Sequence, residues 1–175
     1  MTSFTASDPT RVVVVVGNPK AASRTLAAAE SLAAAIADSV SHAELHVIDL
    51  ATLAGQLLPT PSDVVRAELD AVAHAHVLVV ATPVYKASFT GLLKVFLDYL
   101  PGNALNTALA VPVTVAASPA HRHVAESAVR PLLNELGART TAGLGIDEGQ
   151  LPDVDEPVAR WLTTEGPLLR SVVAA

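Results

Sequence analysis

Cysteine is absent from this 175-residue chain. Its absence excludes disulfides, thiol nucleophiles and thiolate metal sites, and it fits a cytoplasmic location. Aromatic residues make up 3% of the sequence, which leaves few platforms for stacking bases. Basic residues are outnumbered by acidic ones, 11 to 17, and they form no cluster. A net charge of -6 argues against a nucleic-acid surface. Long apolar runs are missing too. None reaches the roughly 18 residues that cross a bilayer, so no membrane segment is expected. Residues 1–10 are polar and lack the apolar stretch of a secretory signal. They are read as a flexible tail ahead of a single domain over residues 11–175.

Hydrophobic residues account for 51% of the chain, mostly Ala, Val and Leu, enough for one sizeable core. Arg11 to Val16 is almost pure valine. A β-branched run without alternation suits a central parallel strand covered on both faces. Ser23 to Val40 is alanine-rich with Leu26, Leu32 and Ile36, which predicts a helix with Ser23 at its N-cap. Leu45 to Leu50 reads as a second strand and residues 51–61 as a loop. Pro61 to His74 reads as a second helix, capped by Ser62 or Asp63. Val77 to Ala81 is a third strand, broken at Thr82-Pro83. It leads into an apolar helix closed by Pro101-Gly102. Ala108 to Ala117 is a fourth strand that tolerates Pro112 near its start or at a bulge. Val124 to Leu136 is a helix with Gly137 at its C′ position. Arg139 to Ile146 is a weaker fifth strand, residues 147–156 an acidic loop, and Pro157 to Val173 the last helix. Five strand–helix alternations predict a flavodoxin-like α/β fold. This is a three-layer sandwich around a five-stranded parallel sheet of order 2-1-3-4-5, with its switch point between strands 1 and 3.

That topology brings three loops together at the carboxyl ends of the strands. The first, Gly17 to Thr25, offers Lys20, Arg24, two hydroxyls and a helix N-terminus, a setting that favours a phosphate. It lacks the Gly-Lys pair of a P-loop and the spacing GxGxxG, which argues against triphosphate hydrolysis and a Rossmann dinucleotide site. From this loop alone, a phosphate cradle and an ordinary capped helix start remain equally open. The second loop, Thr82 to Phe89, has a stiff proline, the flat face of Tyr85 and the charge of Lys86. The third, Ala116 to Ala120, has small side chains that let a flat ligand approach the backbone. Taken alone, it reads first as a tight turn.

The stretch ATPVYKASFTGLLKVFLDYLP, residues 81–101, resembles the TPVYKA(A/S) signature of NADPH-dependent FMN reductases of the alkanesulfonate-monooxygenase type. Gly17 to Thr25 resembles the same family's phosphate loop, and the likeness runs in order from Arg11 to about Leu136. The resemblance implies a flavodoxin-like enzyme that binds FMN and reduces it with NADPH or NADH, supplying reduced flavin to a partner FMNH2-dependent monooxygenase. Carried over, it implies that Lys20, Ser23, Arg24 and Thr25 bind the FMN phosphate, with Asn18 donating where the family has serine. Pro83, Val84, Tyr85 and Lys86 are expected along the isoalloxazine and ribityl chain, and Ala116, Ala117 and Ser118 at the other end of the ring. The third loop has Ala116-Ala117 where the family has two glycines, and alanine is poorly suited to positive φ. Some members carry an aromatic residue in the helix after strand 4; the aligned residue here is Ser127.

In the implied reaction the cofactors carry the chemistry, so no catalytic side chain is assigned. The histidine pairs His74/His76 and His121/His123 are spaced i, i+2, which does not share a helix face, and no metal site is expected. Asp147-Glu148 is read as a solvated face and Trp161 as an anchor for the last helix. The helix over residues 89–100 is apolar on nearly every side, which predicts a homodimer or homotetramer seam there. Two alternatives stand beside the reductase reading: a quinone or azo reductase that retains FMN, and a non-catalytic flavodoxin-like binding protein with a degraded site.

Overall fold

The computed structural model describes residues 9–40 and 42–173. Most of the expected N-terminal tail, residues 1–8, lies outside the described residues. Strand β1 (Thr10–Val16) is the valine run, and Val12 to Val16 are all buried. Successive side chains point to opposite faces. Accordingly, Val13 and Val15 join one apolar cluster while Val12, Val14 and Val16 join the other. The first cluster is roofed by α2 (Asp63–Ala73), α3 (Gly91–Leu97) and α4 (Arg130–Glu135), the second by α1 (Arg24–Ser39) and α5 (Asp155–Val173). Helices therefore cover both faces of the sheet.

The remaining strands are β2 (Ala43–Asp49), β3 (Val77–Pro83), β4 (Leu109–Ala116), β5 (Arg139–Thr140) and β6 (Leu144–Asp147). The order is β2-β1-β3-β4-β5, with β6 also on β4, and every pair is parallel. The predicted order holds. The predicted fifth strand, however, is two short ones. Its interruption has a cause in β4. The Ala110 carbonyl accepts from Thr141 N at 3.0 Å and so faces the β5 side. By alternation Pro112 faces the same way, and its ring has no N–H to donate. Pairing with β5 ends at Ala110 and pairing with β6 begins at Val113, leaving the proline in the gap.

Three other boundaries differ from expectation. The predicted break at Thr82-Pro83 falls inside β3, which stays in register through Pro83 opposite Val115. Helix α3 is shorter than its apolar pattern. Tyr99 N bonds to Phe96 O and Leu100 N to Leu97 O, i→i−3 bonds that tighten the chain before Pro101. Third, the helix expected over Val124 to Leu136 opens as a π-helix over Ala125–Val129. There Arg130 N–H reaches back to Ala125 O, immediately before Pro131, which has no N–H of its own to give. Trp161 does anchor α5: it is buried and its Nε1 donates to Ala142 O at 2.9 Å.

Candidate functional site

The first and second loops are joined directly. Val16 pairs with Ala81, and Gly17 N donates to Ala81 O at 2.8 Å, so the chain leaves β1 alongside the end of β3. Thr90 then locks the two together. Its Oγ1 donates to Gly17 O and accepts from Leu93 N at 3.2 Å, capping α3, while its own N–H donates to Thr82 Oγ1 at 3.2 Å. A Cβ on Gly17 would lie 2.6 Å from Leu93 Cβ, so glycine is what lets α3 close on the first loop. The third loop joins through Val84 N, which donates to Val115 O at 2.9 Å. All three loops therefore meet at the carboxyl end of β1, β3 and β4.

Within the first loop the predicted residues divide into scaffold and charge. Asn18, Ser23 and Thr25 are buried. Asn18 Nδ2 donates to Thr25 Oγ1 at 3.1 Å, and Asn18 Oδ1 accepts from Lys20 N at 2.9 Å. Ser23 is the N-cap of α1 as expected and accepts from Leu26 N at 3.2 Å. Both hydroxyls accept in these bonds, so each keeps its own hydrogen to donate. Lys20 and Arg24 are exposed, and Lys20 has no ion pair among the described residues. The first turn of α1 contains no acidic residue, so nothing on the helix offsets its positive dipole end. Ala22 has φ 50, and its N–H is held by Asp49 Oδ2 at 3.1 Å. Asp49 ends β2 and had no assigned role in the sequence; its position beside the loop is visible only once β2 pairs with β1.

In the second loop, Pro83 is buried, Val84 half-buried, and Tyr85 and Lys86 exposed. Tyr85 and Ser88 exchange backbone bonds of 2.9 and 3.1 Å, forcing Lys86 and Ala87 to φ 52 and 60. Left-handed φ costs a non-glycine residue about 1–2 kcal/mol. Three of the five such residues described, Ala22, Lys86 and Ala87, sit in these two loops. Strain of this kind concentrates at binding sites. Tyr85, just past the end of β3, is 52% exposed.

In the third loop Ala116 is buried at the end of β4, Ala117 exposed and Ser118 half-buried. Neither alanine has positive φ, so the absence of glycine there carries no backbone strain. Ser118 starts a short 3-10 turn, and its hydroxyl makes no capping bond to it. Ser127 is exposed in the π-helical turn that follows. Next to it, burial pushes Glu126 up, but the Gly143 N–H and the Arg130 guanidinium outweigh it and hold the carboxyl below its ordinary value.

Asp147 and Glu148 are not the solvated face their acidity suggested. Asp147 accepts from Arg122 Nε at 2.7 Å and is paired with its Nη2, while Glu148 is paired with Arg24. A separate groove of about 480 Å³ lies along β6 and α5, bordered by Arg122, Gly145, Gln150 and Trp161. None of the predicted site residues lines it. The strand ends, where the charges, the free helix terminus and the exposed tyrosine converge, are the better-equipped place for a nucleotide.

The residues at the strand ends suit a flavin mononucleotide: two cations, donor hydroxyls and a helix N-terminus for the phosphate, and a tyrosine-bearing turn one strand away. Parallel sheet order, helices on both faces and this crevice define a flavodoxin-like α/β protein. The sequence profile of the family described as NADPH-dependent FMN reductase matches residues 10–149, and the chain belongs to that family. It is therefore a flavin reductase in class, with FMN and a nicotinamide nucleotide as the family's cofactors. An FMN reductase (NADPH) of Pseudomonas putida is 43% identical over 81 residues, a match spanning 46% of this chain and 41% of that protein. The NADH-dependent FMN reductase SfnE of Pseudomonas putida is 37% identical over 77% of this chain and 74% of its own length. A crystal structure of an NADH:FMN oxidoreductase in its apo form superposes with a TM-score of 0.80 at 32% identity, covering 92% of this chain and 88% of that one.

Proposed function

We propose that this protein catalyses NAD(P)H-dependent reduction of FMN and passes the reduced flavin to a partner monooxygenase. The observation that carries the reading is the Thr90 lock, which fixes a cationic, strained phosphate loop against the tyrosine-bearing turn. Bound there, FMN supplies the ring whose N5 takes a hydride from nicotinamide C4, so that NAD(P)H is oxidised as the flavin is reduced.

The chain's own residues do the placing. Lys20 and Arg24, with the amides at the start of α1, neutralise the phosphate. Ser23 and Thr25 donate their hydroxyl hydrogens, and Asn18 holds the loop in shape. Pro83, Val84, Tyr85 and Lys86 bound the ring on one side, and Ala116, Ala117 and Ser118 border its other end. With no acid–base group required, the rate rests on holding two ring systems face to face.

Further parts of the proposal are a cytoplasmic location and a homo-oligomer. No helix among the described residues is long and apolar enough to cross a membrane. Phe89, Leu92, Val95 and Tyr99 are only half-buried although Leu93, Phe96 and Leu97 beside them are fully covered, which supports a seam along residues 89–100. A monomer by light scattering at micromolar concentration removes that seam.

The activity is tested by following NAD(P)H oxidation with and without free FMN. Saturable stimulation by FMN is expected. Oxidation that ignores added FMN but turns over quinones contradicts release of the flavin, and no oxidation at all contradicts the reductase reading.

A further inference from the structure

Arg24, one of the two cations offered to the phosphate, is already engaged in this structure. Its Nη2 contacts Glu148 Oε1 across 124 positions of sequence. Glu148 is held in place by its neighbours. Asp147, immediately before it, closes the end of β6 opposite Ala116 and grips Arg122 through both carboxylate oxygens. The same Asp147 heads a short 3-10 turn over Glu148–Gln150, with its N–H bonded to Gln150 Oε1 at 2.9 Å. Close packing fixes the strand beneath: a Cβ on Gly145 would lie 2.5 Å from Arg122 O. Glu148 therefore stands on a braced turn rather than on a loose loop. Strand order puts β1 and β6 on opposite flanks of β3 and β4. Arg24, at the start of the helix that follows β1, thus meets a residue that follows the strand on the far side of β3 and β4.

We propose that Glu148 is an internal competitor for the flavin phosphate: it occupies the Arg24 guanidinium until a phosphoryl group takes its place. The inference rests on the flavin-binding reading above and assigns a specificity role to a residue outside the three loops. Glu148 holds one edge of the guanidinium through Nη2, so a phosphate approaching the same group meets a cation already partly neutralised and a carboxylate of its own sign beside it. Binding of a phosphorylated flavin is thereby opposed by Glu148, whereas a flavin without phosphate does not compete with it. The pair is half-exposed, with side chains 64% and 40% accessible, so its effect is a tuning of affinity and not an on–off switch. Exposed ion pairs shift an equilibrium by about two- to fivefold. A site that holds its phosphate against a built-in carboxylate binds FMN less tightly than its cations allow, which suits a flavin that must leave.

The test is Glu148→Gln, titrated by flavin fluorescence with FMN and, in parallel, with riboflavin, which has the ring but no phosphate. The proposal expects the Kd for FMN to fall by about two- to fivefold while that for riboflavin stays fixed. It also expects the gain to vanish in the Arg24→Gln background, because the competitor then has nothing to compete for. Unchanged or weaker FMN binding overturns it. So does an equal change for both flavins, or a gain that survives without Arg24, since each makes Glu148 a general charge or a packing residue. Wild-type protein that binds neither flavin overturns the flavin reading itself, and this inference with it.

Discussion

Thr114 is fully buried in β4, and its Oγ1 has no hydrogen-bond partner among the described residues. It lies opposite Thr82 in the β3–β4 register. Thr82 uses its hydroxyl to hold the second loop through Thr90 N, at 3.2 Å. Two threonines of one register row thus behave differently, one bonded and one not. An unsatisfied buried hydroxyl costs about 1–3 kcal/mol, whereas valine has the same shape without the polar atom. Thr114→Val is therefore expected to raise stability by about 1 kcal/mol, seen as a higher urea midpoint with an unchanged slope. A loss of similar size contradicts this and means that the hydroxyl has a partner, such as a buried water. At this scale the sequence was only partly legible. Lys20, Arg24 and Tyr85 announce themselves by chemistry. Thr90, Asp49 and Glu148 do not, because each acquires its role only from a residue far away in the chain, at Gly17, Ala22 and Arg24 respectively.

Elements were more legible than residues, and their errors share a cause. Ser23 and Ser62 cap their helices as read, each hydroxyl accepting the N–H three residues on. Two of the misplaced boundaries lie beside prolines. Pro112 splits the fifth strand from across the sheet, and Pro83 continues a strand that its ring was expected to end. A parallel strand demands a donor only on the side a residue faces, and local sequence does not reveal that side. The contact between elements that matters most for the site is Gly17 against α3. Gly17→Ala forces a Cβ to 2.6 Å from Leu93 Cβ. Overpacking of this kind costs about 1–3 kcal/mol. It is expected both to lower the thermal midpoint and to weaken FMN binding, because the first loop is pushed off the second. Gly91→Ala is the control. A Cβ there meets nothing within 4 Å, so stability should hold or rise slightly. Equal effects of the two substitutions contradict the docking argument.

For the whole molecule, alternation of strands and helices was enough to define the sheet order, because right-handed parallel crossovers leave few ways to arrange five strands. The valine run of β1 contributes to both apolar clusters, so the strand that leads into the first loop is anchored on both faces of the sheet. That arrangement suits a binding protein: a rigid floor, with strained and exposed residues at its rim. The central claim is that loops from three strands act as one flavin site. Backbone amide shifts of the intact chain, recorded by NMR with and without FMN, test it most directly. The account predicts coordinated shifts in residues 17–25, 84–90 and 116–118, saturating at a common FMN concentration. Shifts confined to one of these loops, or centred on the groove between β6 and α5, contradict it.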